Sequence, residues 1–239
     1  KHDKKILDFK KKNKSLFSLI KNKELYFLLL KKLQKNKLFK KNYINNNIFY
    51  KNLLTKNKYD LIFNCDDHNM ISKKFFFKKI NKDYNDVAYT TIINHSNLSN
   101  NNSASQIFTK NGPIAFLPIS KNQTSVVYSV NSKGNNLNEK KIIELIKKYN
   151  SKYLINNHEK INTFKLKSIN LRKYYFQNII AFGDLIHKIH PLAGQGFNMT
   201  LRDLQAIYKI IQNKIDLGLR IDNSVAIEFE KKMKHKNFI

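Results

Sequence analysis

The chain has 239 residues, and its 45 lysines and arginines against 17 aspartates and glutamates give a formal net charge of +28. At this length a hydrophobic content of 41% can fill one large core or two small ones, so we expect a folded chain and not a disordered one. The single cysteine, Cys65, excludes a disulfide framework and a cysteine-cluster zinc site, and no apolar run approaches the roughly 18 residues that a transmembrane helix requires.

The first 41 residues predict one or two amphipathic helices, because apolar residues recur there at helical spacing between lysines. The clearest apolar stripe consists of Leu25, Leu28, Leu29 and Leu33. We expect this stripe to pack in the core, and the flanking lysines leave a helix lying on a membrane surface as the alternative. Residue 1 is a lysine and no signal peptide follows it, so nothing marks the chain for export.

Two extended segments are expected next, at residues 48–54 and 59–65, on either side of a polar turn. The second, Y-D-L-I-F-N-C, is almost continuously apolar, which is typical of a strand buried on both faces of a sheet. Cys65 is then expected to be a small core residue. The strand runs into Asp66, which is either a site residue or simply the end of the strand.

The middle of the chain predicts an antiparallel sheet, because short β-rich runs are separated by turns rich in Asn, Ser and Gly. These runs are residues 87–93, 104–109, 114–119 and 124–130. Residues 137–149 have helical period, with Asn136 or Asn138 as the N-cap. The segment 152–173 fits neither pattern clearly.

The last third predicts a strand, a glycine-bearing loop and a helix in that order. Residues 178–182 form a short apolar run that leads into Gly183 and Asp184, and residues 197–212 have strong helical period. A strand followed by such a loop and a helix N-terminus is typical of sites that bind anions or dinucleotides. We therefore expect the functional residues in this region.

Residues 183–203 read G-D-L-I-H-K-I-H-P-L-A-G-Q-G-F-N-M-T-L-R-D. This string resembles the second flavin-contacting motif of aromatic-ring hydroxylases with the p-hydroxybenzoate hydroxylase fold. Within that group it is most similar to the ubiquinone-biosynthesis hydroxylases. Residues 112–119, G-P-I-A-F-L-P-I, resemble the family's G-P-x-A-x-L-P strand, and residues 59–66 resemble the strand before its D-G motif. The resemblance covers roughly residues 48–211.

The chemistry of these residues suits a flavin. A helix beginning at Gly196 would place its positive end near the negative charge of a reduced flavin. Gly194 and Gly196 would let the backbone approach a flat ring, and Pro191 stiffens the loop. Asp184 can accept hydrogen bonds from ribityl or ribose hydroxyls.

The resemblance implies a cofactor site and a substrate side. Asp184 would contact the ribityl and pyrophosphate region of FAD, and Asp66 would also bind the cofactor. The loop and helix start would run along the isoalloxazine, through Pro191, Gly194, Gln195, Gly196, Phe197 and Asn198. Leu117 and Pro118 would line the substrate side. No catalytic side chain and no metal site are expected, because the flavin performs the chemistry.

The implied fold class is α/β (α+β): a partial FAD-binding Rossmann-like domain with an inserted antiparallel β-sheet substrate domain. The expected domains are residues 1–83, a partial FAD-binding segment; 84–170, the substrate domain; and 171–239, the C-terminal FAD-binding segment. The implied activity is an FAD-dependent monooxygenase that hydroxylates the aromatic ring of a polyprenylated ubiquinone precursor with NADH or NADPH and O2.

The sequence departs from the family pattern at several positions. The first flavin element, a strand with G-x-G-x-x-G and a helix, is missing, so we expect a fragment. The family's D-G is Asp66-Asp67 here, its glycine after Asn198-x is Thr200, and its Ala-Ala pair is Leu185-Ile186. These changes motivate an alternative hypothesis, a catalytically inactive fold relative that acts as a basic-surface binding protein.

The charge itself suggests nucleic acid or an anionic membrane as a partner. Only Arg172, Arg202 and Arg220 are arginines, and the lysines are mixed with many asparagines and isoleucines, which share A/T-rich codons. Because arginine reads phosphates and bases better than lysine, we expect a solvated lysine surface and no nucleic-acid partner.

A lipid-tailed substrate requires access from a bilayer, and a lysine-rich surface suits contact with anionic headgroups. The expected partners are therefore a polyprenylated phenol, a membrane surface and other ubiquinone-biosynthesis enzymes. The expected location is cytoplasmic, peripheral on the inner face of the cytoplasmic membrane.

Two further features of the motif are expected to be structural. His187 and His190 lie three residues apart, but no further metal ligands follow at useful spacing, which favours a loop role over a metal site. Arg202 and Asp203 read as charges on the surface of the helix.

Overall fold

The structure is a computed structural model that describes residues 16–44, 47–55, 58–131, 137–189 and 195–237. The helices in the described residues are α1 (Asn22–Gln34), α2 (Asn47–Thr55), α3 (Met70–Phe75), α4 (Glu139–Tyr149), α5 (Gln195–Asp216) and α6 (Asn223–Asn237). The strands are β1 (Ile62–Asn64), β2 (Lys79–His95), β3 (Ser105–Thr109), β4 (Gly112–Pro118), β5 (Gln123–Asn131), β6 (Ile155–His158), β7 (Asn162–Leu171), β8 (Tyr175–Phe176), β9 (Ile179–Ala181) and β10 (His187–Lys188).

The chain divides into two compact units. The sheet unit comprises the described residues of 1–42, 88–130 and 135–163. The motif unit comprises those of 43–87, 131–134 and 164–239, and it is so named because it contains most of the 183–203 string. The predicted domain limits at residues 83/84 and 170/171 remain a prediction.

The sheet unit is built on antiparallel strands. β4 pairs with β3 and β5, with Ala115 opposite Gln106 and Phe116 opposite Val126. Alternate side chains of β4 and β5 are buried, as the period of two in a pleated strand requires. β6 pairs with β2, whose residues are shared between the units. Within this unit β2, β5, β4 and β3 are neighbours in that order. The predicted antiparallel sheet is confirmed.

Helix α4 confirms the prediction for residues 137–149. The Asn138 side chain accepts a hydrogen bond from the Lys141 backbone N–H at 2.9 Å, so Asn138 is the N-cap. One face of α4 buries Ile142 and Ile146, at the spacing of one helical turn. The unclear segment 152–173 forms β6 and β7.

The motif unit contains a three-stranded sheet in the order β1-β9-β8. β1 runs parallel to β9, and all three residues of β9 are buried. The core of the unit combines β9 with apolar side chains of α3, α5 and α6, including Ile71, Ile207, Ile210, Val225 and Phe229. In this unit helices therefore pack against a short pair of parallel strands, β1 and β9, as expected for an α/β fold.

Three expectations for the first third are wrong. Residues 48–54 lie in helix α2, where Tyr50, Leu53 and Leu54 pack against the core at the i, i+3, i+4 spacing of a helix face. β1 is three residues long and is not buried on both faces, because Phe63 is exposed. Cys65 is exposed rather than in the core.

The predicted leucine stripe forms helix α1, but that helix has no buried residue. Leu28, Leu29 and Leu33 are about half exposed, at 58%, 50% and 47%. The helix prediction for the first 41 residues is confirmed at α1, and the expected core position is wrong. Residues 1–15 lie outside the described residues. In the described residues, no helix has the length and apolar character that spanning a membrane requires.

Candidate functional site

The parallel pairing of β1 and β9 brings two predicted site residues to neighbouring strand ends. Asn64 is opposite Ala181 in the register, and the Phe182 N–H donates to the Asn64 carbonyl at 2.9 Å. Asp66 follows two residues after β1 and Asp184 three residues after β9. Ligands of α/β sheets bind at the carboxyl ends of such strands. Asp66 and Asp184 therefore follow the same edge of the sheet.

The segment after β1 is fixed by a small amide and hydroxyl network. The buried Asn64 donates through Nδ2 to Ser72 Oγ at 2.7 Å and accepts from Asn69 Nδ2 at 2.6 Å. Asn69 caps α3 by accepting from the Ser72 N–H. The Ser72 hydroxyl donates to the Asp66 carbonyl. The backbone of Asp66 is thus held, while its side chain is exposed and accepts from the His68 N–H.

The segment after β9 turns at once. Gly183 is buried and has a φ of +63°, a left-handed conformation that suits glycine. It begins a single 3-10 turn, Gly183–Leu185, closed by a bond from the Ile186 N–H to the Gly183 carbonyl. Leu185 and Ile186 are fully buried, and Asp184 between them and Gly183 is exposed. No hydrogen bond joins the Asp184 carboxylate to another described residue, so it can accept from a ligand.

Helix α5 begins at Gln195, one residue before the predicted start. Gln195, Phe197 and Asn198 are exposed, Gly196 is half-buried, and Met199 begins the buried face. The first N–H groups of a helix have no acceptor within the helix, and the helix dipole makes this end positive. The start of α5 can therefore hold a negatively charged or hydrogen-bond-accepting group. Pro191, Gly194 and His190 lie outside the described residues.

The turn and the helix start lie against each other. A Cβ built on Gly183 would lie 4.0 Å from Thr200 Cγ2, and one built on Gly196 would lie 3.8 Å from Ile189 Cγ1. Both contacts are at ordinary van der Waals distance. The Thr200 that replaces the family's glycine therefore fits beside Gly183 without a clash.

Sequence reasoning missed a buried polar cluster behind this site. His187 Nε2 lies 2.6 Å from Asp203 Oδ2, and both side chains are almost completely buried. Asn237 Nδ2 donates to both Asp203 oxygens at 3.3 Å. The expectation that Asp203 is a surface charge is wrong. The helical spacing of the sequence indicates that Asp203 is buried. It places Asp203 on the same face of α5 as the buried apolar residues Met199, Ala206, Ile207 and Ile210.

Arg202 is partly exposed but is not a free surface charge either. Its Nη2 donates to Asn237 Oδ1 at 2.5 Å and to the Lys236 carbonyl at 3.2 Å, which ties α5 to the end of α6. The described residues contain no group of three or more histidine, cysteine, aspartate or glutamate side chains that could hold a metal.

The predicted substrate residues lie in the sheet unit. Leu117 is half-buried and Pro118 is buried, at the end of β4, where they pair with Ser125 and Thr124. The structure thus groups Asp66, Asp184 and the α5 start in the motif unit and leaves Leu117 and Pro118 in the other. The roles of all these residues remain predictions.

The sequence profile of the FAD binding domain matches residues 73–216, more than half of the chain. The chain belongs to the FAD binding domain family. FAD is therefore the cofactor of this family. Asp184 and the α5 start lie inside the matched region. The match ends with α5 and includes every described residue of the 183–203 string.

Curated relatives confirm the resemblance to ubiquinone-biosynthesis hydroxylases. The chain is 31% identical over 118 residues to 3-demethoxyubiquinol 3-hydroxylase of Escherichia coli K12, covering 47% of this chain and 30% of that protein. It is 25% identical to the mitochondrial ubiquinone biosynthesis monooxygenase COQ6 of Xenopus tropicalis, covering 62% of this chain and 40% of that protein. The chain thus spans about a third of the length of these relatives.

Solved structures confirm the predicted fold class. The myxobacterial chondrochloren halogenase CndH, an FAD-dependent halogenase, has a TM-score of 0.57 at 15% identity, over 72% of this chain and 43% of that one. A variant of HpxO from Klebsiella pneumoniae, complexed with FAD, has a TM-score of 0.56 at 13% identity, over 72% and 47%. At these identities the likeness concerns the fold alone.

Proposed function

We propose that the protein acts as an FAD-dependent monooxygenase of ubiquinone biosynthesis, and that it hydroxylates the aromatic ring of a polyprenylated phenol. The observation that carries the proposal is the turn after β9. There an exposed Asp184, which has no hydrogen-bond partner among the described residues, precedes the start of a 22-residue helix. The names of the relatives in E. coli and Xenopus tropicalis supply the reaction class and the substrate class.

The residues at the sheet edge suit FAD. In this proposal the Asp184 carboxylate accepts hydrogen bonds from hydroxyls of the ribityl chain or the ribose, and Asp66 accepts further ones at the neighbouring strand end. The α5 start, from Gln195 to Asn198, lies along the ring system with its positive end toward the flavin oxygens. Because Gly196 has no side chain, the flavin can approach the helix backbone closely at this point.

The protein would orient the reactants and keep water out. FAD, when bound, supplies the transfer of one oxygen atom from O2 to the aromatic ring, with reducing equivalents from NADH or NADPH. Leu117 and Pro118 would give the phenolic ring an apolar wall. Apolar walls of this kind exclude water from a reactive site.

Helix α1 is the element that we assign to the membrane surface. It exposes Tyr26, Phe27, Leu28, Leu29 and Leu33 and carries Lys23, Lys31 and Lys32. Apolar side chains and lysines on one exposed helix suit the interface of an anionic bilayer, from which a polyprenyl tail would be taken. In this proposal the protein is cytoplasmic and binds the inner face of the membrane peripherally, near other enzymes of the pathway.

The test uses the protein in the full length that its gene encodes. Purified protein should contain FAD and should consume NADH or NADPH and O2 when a polyprenylated phenol is added. With isotope-labelled O2, mass spectrometry should find one labelled oxygen atom in the ring. The control is the same protein without the phenol, which should turn over much more slowly.

Protein that binds FAD but incorporates no labelled oxygen with any phenolic quinone precursor would overturn the proposed reaction. Protein that binds no FAD would support the alternative, an inactive relative that acts through its basic surface. The net charge of +28 and Asp67 in the place of the family's glycine are the features that favour this alternative.

A further inference from the structure

The buried pair His187 and Asp203 joins the two elements of the motif that we assign to FAD. His187 lies in β10, three residues after Asp184, and Asp203 lies in α5, two helical turns after Gln195. Their side chains are 2% and 0% exposed, and the distance from Nε2 to Oδ2 is 2.6 Å. A carboxylate only accepts hydrogen bonds, so His187 Nε2 carries the proton and donates.

The His187 ring has a single polar anchor in the described part of the chain. Its Nδ1 is buried without a hydrogen-bond partner there, so Asp203 alone fixes the orientation of the ring by hydrogen bonding. Asp203 in turn is held from the other side by Asn237 of α6, which donates to both carboxylate oxygens. Asn237 is itself fixed, because Asn170 Nδ2 donates to its carbonyl at 3.0 Å and Arg202 donates to its side chain.

The other contacts that join these segments are apolar. Gly183 lies beside Thr200 and Gly196 beside Ile189. Leu185 and Ile186 share one core cluster with buried residues of α5. Van der Waals contacts of this kind permit sliding, whereas a short hydrogen bond to a charged group fixes both distance and direction. Among the described residues, the pair is therefore the hydrogen bond that joins the segment after β9, residues 183–189, to α5.

We infer that His187 and Asp203 are positioning residues of the FAD site, whose buried hydrogen bond holds the Asp184 turn against α5. The inference rests on the proposed function, because it assigns to the pair a part in FAD binding. The pair acts through the elements that it joins. A displacement of about 1 Å in the groups of a site can lower the rate of a catalysed reaction about 100-fold.

The test compares three variants with the wild type at a temperature where all are folded. His187→Leu removes the donor at similar size. His187→Gln keeps an N–H donor near the position of Nε2. Met233→Ala removes a buried apolar side chain of α6 and serves as the control for lost stability. FAD dissociation constants are measured by flavin fluorescence, and amide hydrogen exchange is followed in FAD-free protein.

We expect His187→Leu to weaken FAD binding at least about tenfold. His187→Gln should stay within about threefold of the wild type, and Met233→Ala should bind FAD normally. In FAD-free protein, His187→Leu should speed exchange at the Gly183–Leu185 turn. Wild-type affinity in His187→Leu, or equal weakening in Met233→Ala, overturns the inference. Wild-type protein that binds no FAD overturns the proposed function instead, and unchanged exchange at the turn then overturns the inference separately.

Discussion

Helices α1 and α5 have similar apolar spacing in the sequence and different surroundings in the structure. α1 buries none of its 13 residues. α5 buries one face, formed by Met199, Asp203, Ala206, Ile207 and Ile210. Helical period therefore predicts that a segment is a helix, but does not predict which surface covers it. The comparison also shows that a carboxylate can lie on the buried face where hydrogen-bond donors meet it.

The largest difference between the two helices should appear in stability. Ile210 of α5 is 1% exposed and Leu29 of α1 is 50% exposed. We expect Ile210→Ala to lower the free energy of unfolding by about 3 kcal/mol, because it leaves a cavity in the core. Leu29→Ala should change it by no more than about 0.5 kcal/mol. Urea denaturation measures both, and equal losses would contradict the exposed position of α1.

The core beside α5 also predicts a loss of stability at high pH. Burial raises the pKa of Tyr174 to about 12, because the phenolate would be desolvated. In the unfolded chain the pKa of Tyr174 is near its ordinary value of 10.0. The stabilisation is therefore present below pH 10 and is lost as the pH rises toward 12. A shift of this size corresponds to a few kcal/mol of stability.

Tyr174→Phe should remove this part of the pH dependence, and thermal melts between pH 9 and 12 would measure it. Tyr208→Phe is the control, since Tyr208 lies on the exposed side of α5 and should keep the wild-type slope. Identical slopes in the wild type and in Tyr174→Phe would show that Tyr174 does not remain neutral in the folded protein at high pH.

The exposed surface of α1 should matter for membranes. The double change Lys31→Glu and Lys32→Glu should weaken binding to phosphatidylserine vesicles at least about tenfold, since each lysine near an anionic surface contributes about 1 kcal/mol. The matched control changes two adjacent exposed lysines of α4, Lys147→Glu and Lys148→Glu. Sedimentation with vesicles measures both. An equal effect in the control would assign binding to overall charge, and no effect in either would remove the membrane from the proposal.

The smallest expected effect concerns the helix ends. α4 has a side-chain cap at Asn138, whereas the N-cap residue of α1, Lys21, makes no side-chain capping bond. Asn138→Ala should therefore cost about 1 kcal/mol of stability. Lys140 is exposed and lies two residues after Asn138. Lys140→Ala should cost less than about 0.5 kcal/mol. A loss in Asn138→Ala no larger than in Lys140→Ala would show that the cap contributes little.

The parts of the fold that were predictable are those with a strong local signal. The alternation in β4 and β5, the Asn138 cap and the strand–turn–helix order around Gly183 all follow from residue type and spacing. The sequence of residues 48–54 does not distinguish a strand from a helix, because a short apolar run fits either period. Tyr50, Leu53 and Leu54 pack against core residues that are distant in the sequence, so no local pattern shows these contacts.

The candidate site shows the same division. The 183–203 string marks Asp184 and the α5 start directly. The burial of Asp203 depends on Asn237, 34 residues further along the chain, and on the pairing of β10 with β7. The exposed position of Cys65 likewise follows from β1 ending at Asn64. No local pattern records such partners.

The turn that carries Asp184 is expected to hold FAD, and an FAD titration of the full-length protein can show whether it does. Asp184→Ala should weaken FAD binding at least about tenfold, because it removes charge-assisted hydrogen bonds to the cofactor. Glu228→Ala removes an exposed acid of α6 and should bind FAD as the wild type does. Equal affinity in the wild type and in Asp184→Ala would contradict the claim.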